Sequence, residues 1–125
     1  MRDYRVLLVD DEEEFVSTLS ERLGLRGITA DTALDGEEAL AKMSEQTYDV
    51  VILDLLMPGL GGLEVLKRVK MLSPQTEVIL LTGHGATREG IEGMRLGAFD
   101  YLMKPLDIEE LLEKMEEAVK AQRMA

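Results

Sequence analysis

Cysteine is absent from the chain, so no disulfide, thiolate metal site or thiol nucleophile can figure in its chemistry. Basic residues are scarce: 14 lysines and arginines stand against 25 aspartates and glutamates, a formal charge of −11. That balance opposes direct binding to a nucleic-acid backbone, which needs a basic surface. Long hydrophobic runs are missing as well. Every apolar run is far too short to cross a bilayer, and no signal-peptide core follows Met1-Arg2-Asp3-Tyr4-Arg5. There is no G-x-x-x-x-G-K-S/T loop, and neither Gly59-Leu60-Gly61 nor Gly83-His84-Gly85 extends into G-x-G-x-x-G after a strand, which removes the common nucleotide-binding signatures. These absences leave a cytoplasmic domain that touches neither membrane nor nucleic acid directly.

The composition that remains, 46% hydrophobic and 31% charged, is that of a globular chain, and 125 residues suit one domain with its own core. Short apolar runs alternate with amphipathic segments five times. Val6–Val9 is followed by Glu12–Leu25, where Phe15, Val16, Leu19 and Leu23 recur at helical spacing up to Gly27. Ile28–Leu34 alternates weakly and reads as a second strand; Asp35-Gly36 turns into a helix over Glu37–Gln46. Val50–Leu53 precedes Asp54, and after Met57-Pro58-Gly59 the helical period returns over Leu63–Leu72, ending at Ser73-Pro74. Val78–Leu81 leads to a weak fourth helix over Arg88–Leu96, and Tyr101–Met103 leads to an acidic fifth over Ile108–Met124. The four runs are continuous rather than alternating, as expected of strands covered on both faces. Strand–helix alternation with short connections implies right-handed βαβ units, hence one α/β domain over 1–125: a doubly wound, five-stranded parallel sheet with helices on both faces.

In such sheets, sites form beyond the carboxyl ends of the strands. Here those ends carry Asp10-Asp11, Asp54, Thr82 and Lys104. Three carboxylates brought within several ångströms repel unless a hard divalent cation screens them, and Mg²⁺ takes one or two carboxylates and fills its shell with water and phosphate oxygens. Glu13 and Glu14, by contrast, read as an acidic first helical turn favoured by the helix dipole. Beside a cation, Asp54 is placed to act as a nucleophile toward phosphate, since carboxylates form acyl-phosphates. Lys104 is the strand-end cation able to neutralise charge on a transferring phosphoryl group, and Pro105 after it marks a constrained turn, open to the cis form, that aims its side chain. Thr82 offers a hydroxyl, and Gly83 removes bulk where the group would fit. His84, the sole histidine, reads as a loop residue as readily as an acid–base group.

Taken together, Asp10-Asp11, Asp54-Leu55-Leu56-Met57-Pro58-Gly59, Thr82-Gly83 and Lys104-Pro105 resemble the receiver domain of two-component response regulators over essentially the whole chain. Thr82-Gly83-His84-Gly85 and Gly97–Pro105 look most like receivers of enhancer-dependent transcription activators. The resemblance implies a flavodoxin-like strand order 2-1-3-4-5. It implies that Asp54 is phosphorylated by the phosphohistidine of a sensor histidine kinase or a histidine phosphotransfer protein. Mg²⁺ would be held by Asp11 directly, by Asp10 mostly through water, by Asp54 and by the backbone carbonyl of Leu56. Lys104 would pair with the phosphoryl group, Thr82 would move toward it, and Tyr101 would turn inward behind Thr82. The face of the fourth helix, fifth strand and fifth helix would then control an output domain or partner protein, and a homodimer is a further expectation. On this reading the chain is a switch whose only catalysis is phosphoryl transfer to itself and hydrolysis of its own acyl-phosphate.

The chain departs from the usual receiver in two places. Gly61-Gly62 supplies no side-chain cap for the third helix, which is therefore expected to start late or fray. Leu56 is apolar where fast-dephosphorylating receivers carry a polar residue, so slow self-dephosphorylation is expected unless His84 positions the water. Gly90 and Gly93 within Thr87–Arg95 weaken the fourth helix by about 1 kcal/mol each relative to alanine, which suits an element that shifts; close packing on the sheet is the other use of such glycines. A different class also forms an aspartyl-phosphate, the Mg²⁺-dependent phosphatases of the haloacid-dehalogenase type. Those carry a second acid two residues after the nucleophile, and here that residue is Leu56.

Overall fold

The computed structural model describes residues 3–83 and 88–124; His84, Gly85 and Thr87 lie outside the described residues. Five strands and five helices alternate: β1 (Arg5–Val9), α1 (Glu13–Gly24), β2 (Thr29–Ala33), α2 (Gly36–Glu45), β3 (Val50–Asp54), α3 (Gly62–Leu72), β4 (Glu77–Thr82), α4 (Arg88–Arg95), β5 (Asp100–Met103) and α5 (Ile108–Met124). The sheet is wholly parallel in the order β2-β1-β3-β4-β5. All of β3 is buried, and only the first residues of β1 and β4 are not, which is why those three read as unbroken apolar runs. The edge strands β2 and β5 are half-covered, and the alternation in β2 is correspondingly weak.

Successive side chains of a strand point to opposite faces, so each central strand feeds two cores. Val6, Leu8, Ile52, Ile79 and Leu81 face Val16, Leu19 and Leu23 of α1 and Leu111 and Met115 of α5. Leu7, Val9, Val51, Leu53, Val78 and Leu80 face Ala39 of α2 and Val65, Leu66 and Val69 of α3. The sheet is thus clamped from both sides, and its carboxyl edge is left free to carry polar groups.

Local signals set the helix starts to different degrees. Asp35 caps α2 by accepting the Glu38 N–H at 2.8 Å, and the Glu38 carboxylate reaches back to the Leu34 N–H at 2.7 Å, a near-capping box. At α3, Gly61 provides no side-chain cap, yet the helix begins at Gly62, earlier than the apolar spacing suggests. Tertiary packing compensates for the missing cap. A Cβ on Gly62 would come 2.7 Å from Leu55 Cα and 2.8 Å from Asp54 O, so only glycine lets the first turn of α3 press onto the backbone that follows β3. Gly93 has a related use: a Cβ there would collide with Leu80, so α4 sits close on β4. Close approach therefore accounts for Gly93 on packing grounds.

The strand ending on Asp54 is also fastened at its beginning. Thr76 Oγ1 donates to the Tyr48 carbonyl at 2.7 Å, and the buried Tyr48 hydroxyl donates to Asp31 Oδ2 at 2.7 Å. Burial, reinforced by Asp31, pushes the Tyr48 phenol from 10.0 up to about 12. The folded protein holds this proton more tightly than the unfolded chain. The stability that results is intact below pH 10 and is lost as pH rises toward 12. Between pH 9 and 11, urea unfolding of the wild type is expected to lose about 1 kcal/mol more than Tyr48→Phe does; parallel pH profiles for the two proteins would contradict this.

Candidate functional site

Strand register decides which side chains meet. Val9 lies opposite Leu53 and Asp54 opposite Leu81, so Asp10 leaves β1 beside Asp54 at the end of β3. Thr82 lies opposite Met103, and the Lys104 N–H donates to the Thr82 carbonyl at 2.9 Å, which brings the residue after β5 to the same edge. The Lys104–Pro105 bond is cis. Carboxylate oxygens of Asp10, Asp11 and Asp54 all lie within 4.8 Å of one another. Asp10 and Asp54 are buried, at 1% and 6% exposure, while Asp11 is exposed at the rim. Thr82 is buried and Gly83 exposed; Pro105 is exposed, and Leu56 turns its side chain outward. Tyr101 is half-buried against the core on the α2–α3 face.

The two buried acids are differently satisfied. Asp54 Oδ1 accepts the Leu56 N–H at 3.1 Å, and Asp10 Oδ1 accepts the Glu12 N–H at 3.0 Å. Lys104 Nζ lies 2.7 Å from Asp10 Oδ2, 2.8 Å from Glu12 Oε1 and 3.7 Å from Asp54 Oδ2. Lys104 is the close charged partner of Asp10 Oδ2, and among the described residues no further donor reaches this buried oxygen. One ammonium thus serves three acids, and a fourth, Asp11, stands beside them. Burial first, and then the Asp10 charge, push the Asp54 carboxyl from 3.8 up to about 6 against the opposing pull of the Leu56 N–H and Lys104. Burial alone would lower the Lys104 ammonium, but Asp10, Glu12 and Asp54 outweigh it and hold the group above its usual range, so it stays charged.

This donor set suits a hard divalent cation. Among the described residues its side-chain donors are the carboxylates of Asp10, Asp11 and Asp54, with a surplus of negative charge and a buried oxygen with unfilled acceptor capacity on Asp10. Sequence reasoning singled out Asp10, Asp11, Asp54, Thr82 and Lys104 at these strand ends, but it did not find Glu12 and Phe15 as partners of Lys104, nor Gly62 as the packing point behind Asp54. Glu12 resembled the other members of an acidic run; only its position directly after Asp10-Asp11 hinted at a separate role.

A doubly wound parallel sheet whose carboxyl edge carries an acidic pocket and a lysine is the architecture of CheY-like receivers. The chain belongs to that family: residues 6–116 match the family model described as the response regulator receiver domain. It is 38% identical over 120 residues to the uncharacterized transcriptional regulatory protein YkoG of Bacillus subtilis, a match covering 96% of this chain and 53% of YkoG. It is also 38% identical over 114 residues to the DNA-binding transcriptional regulator NtrC of Salmonella typhimurium, covering 91% of this chain and 24% of NtrC. A receiver domain protein from Clostridium thermocellum superposes with a TM-score of 0.91 at 33% identity, covering 97% of this chain and 98% of that one. NtrX from Brucella abortus superposes with a TM-score of 0.92 at 29% identity, covering 98% of this chain and 28% of NtrX. The chain therefore spans about half the length of YkoG and a quarter of NtrC.

Proposed function

We propose that this chain is a phosphorylation-dependent signalling switch in which Asp54 accepts a phosphoryl group from the phosphohistidine of a sensor histidine kinase or a histidine phosphotransfer protein. The observation that carries the proposal is the convergence of the Asp10, Asp11 and Asp54 carboxylates with the Lys104 ammonium at one sheet edge. An Asp54 oxygen attacks phosphorus as the phosphorus–nitrogen bond of the donor breaks, and the departing imidazole keeps the electron pair. Asp10, Asp11, Asp54 and the backbone carbonyl of Leu56 would hold Mg²⁺, which when bound neutralises charge on the phosphoryl oxygens. Lys104, charged at all ordinary pH, supplies a second cation; Thr82 offers a hydroxyl to one phosphoryl oxygen, and Gly83 leaves space for the group.

Phosphorylation then acts through Thr82 and Tyr101 on the surface of α4, β5 and α5. Exposed Ile91 and Met94 on α4 and Met103 on β5 support that surface as the one read by an output domain or partner, including a second copy of the chain. The relatives are transcriptional regulators, which supports an output in transcription; with a charge of −11, an effect on DNA would run through another domain or partner. No described helix is long and apolar enough to cross a membrane, in keeping with a cytoplasmic place of action. An enzyme of the haloacid-dehalogenase type would need an acid where the outward-facing Leu56 stands.

Acetyl phosphate with Mg²⁺ provides the test. Mass spectrometry should show a single phosphoryl adduct on the wild type and none on Asp54→Ala. An adduct that survives in Asp54→Ala, or that forms equally well in chelator, would refute the assignment.

A further inference from the structure

Lys104 is gripped by α1 as well as by the strand ends. Its Nζ lies 2.8 Å from Glu12 Oε1 and 4.7 Å from the centre of the Phe15 ring, so the first turn of α1 offers it a carboxylate and an aromatic face one turn apart. Asp54 is the more distant acid, at 3.7 Å. The base of Glu12 is fixed: its N–H donates to Asp10 Oδ1 at 3.0 Å, and its carbonyl accepts the Val16 N–H at 3.1 Å. Its side chain caps nothing in α1, which leaves the carboxylate free to reach across to the residue after β5. That carboxylate is 64% exposed, so the bridge to Lys104 is a breakable one.

We propose that Glu12 is a latch on Lys104, holding its ammonium off Asp54 in the resting protein and thereby setting how fast Asp54 is phosphorylated. The inference rests on the reading of Asp54 as acceptor. To close from 3.7 Å onto a phosphoryl group on Asp54, Lys104 Nζ has to shift away from Glu12 and Asp10, and of these two holds the exposed Glu12 side chain is the one that solvent can release. The Phe15 ring lies beneath the ammonium, so the cation keeps one favourable contact as it leaves. Glu12 is a positioning residue: it acts through Lys104 and touches neither the donor nor the reacting atoms.

The experiment follows phosphorylation of the intact chain by acetyl phosphate with Mg²⁺, using mass spectrometry, for the wild type, Glu12→Gln, Glu12→Asp and Glu13→Gln. Glu12→Gln should accelerate adduct formation roughly two- to fivefold, the span expected from releasing a largely exposed ion pair. Glu12→Asp keeps the charge but is one methylene too short for the contact, so it should be accelerated as well. Glu13→Gln removes the same charge one residue away and should react at the wild-type rate. The ¹⁵N signal of the Lys104 ammonium should move in both Glu12 variants and stay in place in Glu13→Gln, which shows that the contact has been lost, while the faster phosphorylation in those same two variants is what a purely structural bridge would not produce. Equal rates across all four proteins, or slower reaction in Glu12→Gln, would overturn the latch alone. Acceleration in Glu13→Gln equal to that in Glu12→Gln would reduce the effect to overall charge and also overturn it. No adduct on the wild type would instead overturn the acceptor reading, and the latch with it.

Discussion

Lys104→Met is expected to slow phosphorylation of Asp54 by about 10²–10³-fold, the scale on which removing one pre-positioned charge-stabilising group acts. Methionine keeps the length and much of the apolar packing of the lysine stem but withdraws the ammonium from Asp10, Glu12 and Asp54. The same substitution should lower stability in the absence of divalent cation by about 3 kcal/mol, because Asp10 is left as a buried charge without a counter-ion. The two effects have separate readouts. Single-turnover phosphorylation by acetyl phosphate reports the first, and urea unfolding in chelator reports the second. A Lys104→Met protein that is phosphorylated at the wild-type rate would show that the ammonium serves only the fold.

Asp54→Asn is expected to act in the opposite direction, raising the stability of the cation-free protein by about 2 kcal/mol at pH 7. Asp54 is crowded by Asp10 and Asp11, shares the Lys104 ammonium with better-placed acids, and titrates at about 6 rather than 3.8. A carboxyl whose folded value is raised holds its proton more tightly in the native state. Its penalty is therefore absent below pH 3.8, grows as pH rises, and is complete above pH 6. A shift of about two units corresponds to at most about 3 kcal/mol, reduced here by solvent at the mouth of the site. The advantage of Asp54→Asn over wild type should accordingly shrink as pH falls from 7 to 4. Mg²⁺ should narrow it at pH 7, because a cation that binds only the folded wild type stabilises it by mass action, about 2.7 kcal/mol at a hundredfold excess over Kd. Urea titrations of both proteins with and without Mg²⁺ check this. A wild type more stable than Asp54→Asn in chelator would mean that the acidic cluster is already neutralised by the fold. The acids that suit the site to phosphoryl chemistry are on this account a standing strain on the resting protein, a common cost of function.

Most of the architecture was legible because each layer speaks a different period. Strands covered on both faces appear as unbroken apolar runs at Val6–Val9, Val50–Leu53 and Val78–Leu81, and the helices between them repeat every three to four residues. Once the alternation is recognised as parallel βαβ units, chirality and short connections leave little freedom, and the polar residues at the strand ends must share an edge. The sequence alone thus determined the fold class, the edge on which the site lies, and the identities of Asp10, Asp11, Asp54, Thr82 and Lys104 as the residues meeting there. It also determined the family.

Tertiary structure decided what no local pattern encodes. Burial separates Asp10 from Asp11, which are neighbours of identical type: one turns inward beside β3 and pairs with Lys104, while the other stays at the rim. The bridge from Glu12 to Lys104 joins residues 92 positions apart, and Glu12 is chemically indistinguishable in sequence from Glu13 and Glu14. The start of α3 was expected late for want of a cap, yet it is held at Gly62 by backbone from the turn after β3. Gly93 needs its small size because Leu80 of another element stands where a Cβ would go. In each case the deciding energy comes from a contact between distant segments, whose strength depends on desolvation and fit rather than on residue type. That is why strand ends can be read from the chain, whereas the placement of charge around Asp54 required the folded molecule.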